Sequence, residues 1–118
     1  FWNPSATNAP VAGALPGGKR VRFTGDRDPR ELFADWLIDS KNPWFARSIV
    51  NRVWAWLHGR GIIHEPDDIR TDNPPSNPEL LAVLEREFIA SRYDLKKLQR
   101  LILNSQTYQH STSFKRIR

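Results

Sequence analysis

The sequence predicts a mainly α fold, a single-domain bundle of about four helices with short extended segments and one long Pro-rich loop. Three observations carry that reading. Asp28-Pro29, Asn42-Pro43 and Asn77-Pro78 each pair a capping side chain with a proline, just ahead of a run whose apolar residues recur at helical spacing. Asp94 stands before a fourth such run, Leu95, Leu98, Leu101 and Ile102. Gly59 and Gly61 close the longest run, and the stretch from there to Asn77 contains Asn73-Pro74-Pro75-Ser76, which cannot be helical.

Residues 1–27 are rich in Pro, Gly, Ala, Ser and Asn and read as an extended arm or linker. Within them Pro16-Gly17-Gly18 marks a turn, and Val21 and Phe23 alternate with Arg20, Arg22 and Thr24, predicting one short strand over residues 20–24. Helix 1 is predicted over residues 29–39. Asp28 and Glu31 there have capping-box spacing, and Leu32, Phe33, Trp36 and Leu37 share a face. Helix 2 starts at Pro43 and carries Ala46, Val50, Val53 and Leu57 as a central stripe, which Ile49, Trp54 and Trp56 widen to most of the circumference. Such a helix belongs in the middle of a bundle. Ile62-Ile63 reads as a short extended segment. Helix 3 follows from Pro78 to about residue 91 with Leu80, Leu81, Leu84, Phe88 and Ile89 inward, and helix 4 from residue 95 to about 104. Tyr108 is expected to dock. The domain is thus drawn as residues 28–111, followed by a basic tail over 112–118.

Composition narrows the function classes. With 39% hydrophobic residues, five Trp and six Phe, a chain of 118 residues has material for one modest core. Its net charge of +5 permits acidic partners of several kinds and requires none of them. The absence of cysteine removes disulfides, thiolate zinc sites, a thiol nucleophile and C-x-x-C-H haem attachment from this stretch. No apolar run approaches the length of about 18 residues needed for a membrane span. Because the chain begins at Phe1, it is expected to be a piece of a longer protein.

Three segments, NPWFARSIVNRVWAWLHGRGI, PDDIRTDNPPSNPELL and YDLKKLQRLILNSQTYQ, together resemble the bacterial family known as domain of unknown function 1553, a C-terminal domain associated with planctomycete-type cytochromes. The resemblance spans roughly residues 28–111. It rests on Asn51-Arg52-x-Trp54, Gly59-Arg60-Gly61 and Asn73-Pro74-Pro75-Ser76-Asn77-Pro78 in that order and spacing. It implies a part of a large exported protein from Planctomycetes, Verrucomicrobia or Bacteroidetes, sometimes with a cytochrome-c-like haem domain upstream. Polysaccharide use or surface redox chemistry is the implied setting, and no catalytic residues come with it. This chain has no haem motif of its own, so a haem belongs, if anywhere, to the parent protein.

Among candidate sites, Asp67 and Asp68, with Glu65 and Asp72 nearby, supply the residue types of a glycosidase acid and base. Adjacent residues in one loop rarely face each other across a sugar bond, so capping and ion pairing is the favoured role. Glu65, Asp67, Asp68, Asp72 and Asn73 offer oxygens for calcium without the EF-hand spacing. His58, His64 and His110 lie far apart and form no zinc-binding pair, so no metal ligands are assigned. Trp44, Trp54 and Trp56 with Arg47, Arg52 and Arg60 could stack on bases or sugars, but their spacing favours core packing. Trp44, in the first turn of helix 2, is the tryptophan predicted to be open to a ligand. A helix-turn-helix is excluded by the long connection between helices 2 and 3.

The site expected from sequence is therefore a clamp of Arg52, Arg60, Asp67, Asp68 and Arg70, with Ile69 in the core and Trp44 as a ligand contact. The function expected is a non-catalytic structural or interaction module whose partners are upstream domains of the same chain. A portion of an enzyme acting on glycans is the alternative. Nucleic-acid binding comes third, and no cofactor is assigned to this stretch.

Overall fold

The computed structural model describes residues 12–15, 18–22 and 26–110. Its elements are β1 (Ala12–Ala14), β2 (Arg20–Arg22), α1 (Pro29–Ile38), α2 (Pro43–His58), α3 (Pro78–Ala90), α4 (Leu95–Leu103) and α5 (Gln106–Gln109). The fold is mainly α, as expected. They fall into two compact units, Phe1–Asp39 and Ser40–Arg118.

In the first unit β2 has an antiparallel partner, β1, with Gly13 opposite Val21. Gly18, at φ 86°, makes the return between them, in a conformation that costs other residues about 1–2 kcal/mol. The partner strand escapes sequence reading because Ala12–Ala14 has neither alternation nor β-branched residues. Phe23 and Thr24, the rest of the expected strand, lie outside the described residues. Helix α1 starts where expected: the Asp28 carboxylate accepts the Arg30 amide at 2.8 Å. The Arg30 guanidinium also grips that carboxylate, while Glu31 turns to Arg27 at 3.7 Å.

The second unit is built on α2. Helix α3 packs along it, α4 packs on both, and α5 adds a last short turn against α4. The core joins Ala46, Val50 and Val53 of α2, Leu81, Leu84 and Phe88 of α3, and Leu98 and Ile102 of α4. Ile62 and Ile63 complete it from the loop. Expected to be extended, these two instead sit in a series of bends, because both side chains must turn inward from adjacent positions. In a strand, neighbours point to opposite faces.

Every helix start here is local chemistry. Asn42 accepts the Trp44 amide, Asn77 the Leu80 amide and Asp94 the Lys97 amide, each satisfying an N–H that the helix leaves without a partner. The joint between α3 and α4 is tight, with Arg92 at φ 56° and Tyr93 at φ 63°. Left-handed backbone at two residues with side chains persists because Tyr93 is anchored. Its amide donates to the Phe88 carbonyl at 2.9 Å, and its ring lies edge-on to Phe88 and to Phe45.

Candidate functional site

The site grows from one buried amide. Asn51, in the middle of α2, has 0% exposure and turns away from its own helix. Its Nδ2 donates to the carbonyls of Ile63, at 3.0 Å, and Pro66, at 3.1 Å, while its Oδ1 accepts the Ile63 amide at 2.8 Å. Asparagine carries a donor pair and an acceptor in one plane, so it can satisfy a loop backbone from both sides. The bonds substitute for strand pairing in a segment that has none.

Two further polar residues complete the tie. Asn73 donates to the carbonyls of His64 and Asp68, at 2.6 and 2.9 Å. Ser76 donates from both its amide and its hydroxyl to the Ile62 carbonyl, at 2.8 and 2.9 Å. The loop following α2 is thereby folded back on itself as a braced ledge. Gly59, at φ 78°, ends α2 by donating to the Ala55 carbonyl. Gly61 is needed for space instead: a Cβ there would collide with the Ile63 carbonyl and sit 3.0 Å from both amide atoms of Asn51.

The charged residues stand on this ledge. Asp67 pairs with Arg52 across the loop, and Asp68 takes a two-pronged contact from Arg70, at 2.6 and 2.8 Å. Asp72 lies 3.5 Å from the same arginine. Hydrogen bonding and then the charge of Asp68 raise the Arg70 pKa, so the guanidinium stays charged throughout any working range. The two adjacent aspartates thus engage different arginines. Arg60 is exposed and has no carboxylate partner among the described residues. Ile69, between the pairs, packs partly against the core.

These pairs are wet. Arg52 and Asp67 have side chains 46% and 73% exposed, so the desolvation that a buried pair suffers hardly applies. The drier ion pair lies elsewhere: Arg47 of α2 reaches Glu85 of α3 at 2.7 Å, and Glu85 is only 17% exposed. Sequence reading missed Glu85 because nothing within a helical turn of it hints at a partner 38 positions away. It noted Asn51 without its role. The available signal was a helix-averse amide set between Val50 and Val53 in an apolar stretch.

The tryptophans divide differently from expectation. Trp56, expected to widen the buried stripe, is 69% exposed, more than Trp44 at 39%. The reason is that α3, α4 and the ledge cover only part of the circumference of α2. Arg52 and Trp56, one turn apart, fall on the remaining side. Trp54 is half-buried and stacks on His58, with centroids 3.9 Å apart, and Tyr108 docks edge-on against that imidazole. Nδ1 of His58 lies 3.3 Å from the Trp54 carbonyl, and its Nε2 is buried with no hydrogen-bond partner among the described residues. Among the described residues no three His, Asp or Glu side chains gather closely enough to hold a metal ion.

Comparison with known proteins adds a family and no activity. No curated protein and no solved structure shows a significant match. The sequence model of PSD1, described as a protein of unknown function (DUF1553), matches residues 29–117, which run from the first residue of α1 past the end of α5. With most of its length matched, this chain belongs to the DUF1553 family.

Proposed function

We propose that the chain is a non-catalytic interaction module of a larger exported bacterial protein, and that the ledge after α2, together with Arg52 and Trp56, is the face it offers to the other domains of that protein. The observation that carries the reading is the bracing of the ledge by Asn51. A loop tied to α2 through the Ile63 amide and carbonyl and the Pro66 carbonyl holds its outward side chains in more fixed places, which lowers the ordering cost of binding. Trp56 is exposed one turn from Arg52, and tryptophan and arginine are both enriched at the energetic centre of interfaces. The ion-paired state of Asp67 and Asp68 supports a binding role over an acid and base facing each other across a sugar bond. The exported setting is supported by the motif likeness set out from sequence.

Binding of this chain to the remaining domains of its parent, supplied as a separate polypeptide, tests the reading. Trp56→Ala is expected to weaken that binding at least tenfold, about 1.4 kcal/mol, while leaving the fold intact. Glycan hydrolysis by the parent that disappears with Asp68→Asn would overturn the module reading in favour of an enzyme part. Affinity for DNA that falls steeply with salt would favour a nucleic-acid role instead.

A further inference from the structure

A second surface is built by the α3–α4 pair, where a pocket of about 270 Å³ is lined by residues of both helices and none of the ledge. Its lining surface is mainly apolar, with Phe88, Leu98 and Leu101 set among Glu87, Lys97, Arg100 and Asn104. Phe88 and Leu98 belong to the core, whereas Leu101 is 44% exposed. The size is informative. A cavity of roughly 150 Å³ accepts a benzene-sized group, and sites for whole small ligands run from about 300 to 1,000 Å³. One aromatic or branched aliphatic side chain is therefore the matching occupant.

The rim states the charge of what carries that side chain. Lys97 and Arg100 border the opening, and Lys96 lies beside them on α4. None of the three makes a side-chain ion pair among the described residues. Glu87 also lines the pocket, in only an exposed 3.9 Å contact with Arg86, so the lining carries two cations against one anion. The opening thus combines an apolar socket with an excess of positive charge supplied by α4. We propose that this pocket binds an acidic peptide segment of a partner protein, which inserts a single Phe- or Leu-sized anchor and sets its carboxylates against Lys97 and Arg100. A nucleic-acid strand fits less well, because it stacks bases on open aromatic faces and the one ring here is buried.

The probe is a short Glu-rich peptide with one central Phe, titrated into the full chain and followed by amide chemical shifts. Shifts centred on Phe88, Leu98 and Leu101 are expected, with affinity lowered about tenfold when the peptide's Phe becomes Ala. Arg100→Glu, an exposed change checked for folding by circular dichroism, is expected to weaken the complex several-fold and flatten its salt dependence. Equal binding of a Lys-rich peptide with the same Phe would overturn the proposal. So would indifference to Arg100→Glu, or shifts at these residues produced by single-stranded DNA or decanoate but not by the acidic peptide.

Discussion

Replacing Asn51 by Ala is the perturbation that bears most directly on the ledge. The change strands the Ile63 amide and carbonyl, both in a residue of the core, and the half-buried Pro66 carbonyl. A buried polar group left unpaired costs roughly 1–3 kcal/mol, and water can serve Pro66, so the two Ile63 groups set the loss at about 4 kcal/mol. That is a large share of the 5–15 kcal/mol that typically holds a domain together. Urea unfolding followed by tryptophan fluorescence is the assay. With a slope of about 1.5 kcal/mol per molar, the midpoint should fall by about 2–3 M. Asn51→Asp adds a check on the donors, since a carboxylate can accept from Ile63 but cannot donate to either carbonyl. Burial beside two carbonyl oxygens raises its folded pKa above the unfolded value of about 3.9. A raised folded pKa means stability that is present at low pH and lost as pH rises through it, so this variant should regain stability on acidification. A midpoint shift below about 0.5 M for Asn51→Ala, with unchanged hydrogen exchange at the Ile63 amide, would refute the reasoning and assign the ledge to packing alone.

Other outcomes follow from the same geometry. Gly61→Ala should destabilise more than Gly59→Ala, because the first forces backbone apart while the second imposes only a left-handed residue worth about 1–2 kcal/mol; paired urea melts will rank them. A double-mutant cycle on Arg52 and Asp67 should return a coupling of about 0.2–1 kcal/mol, and one on Arg47 and Glu85 a larger value, since the latter carboxylate is drier. Asp28 should titrate below the ordinary carboxylate range, held down first by the Arg30 guanidinium and then by the Arg30 amide. Its contribution is therefore present above the unfolded pKa and lost as pH falls through the lowered folded one, which carbon-detected NMR titration of wild type and Arg30→Ala can follow.

Helix positions were legible from sequence because the chemistry that starts a helix is local. Asp28, Asn42, Asn77 and Asp94 each cap an amide two or three residues onward, so one short window contains both partners. Apolar faces were legible for the same reason, since periodicity is a property of neighbours. Helix α5 was not: Gln106–Gln109 is a single turn started by Ser105, too short to show a period.

What only the tertiary structure decided is which side of α2 meets protein and which meets water. The stripe through Ala46, Val50 and Val53 was plain, but its width was not, because Trp56 lies open only where the surrounding helices and ledge stop. The same applies to Asn51, whose partners lie 12 and 15 positions away. Hydrophobic spacing says how a helix is turned; it does not say where a loop that must satisfy its own backbone will find its donors and acceptors. That depends on distances between segments remote in sequence, and they come into being only when the core closes.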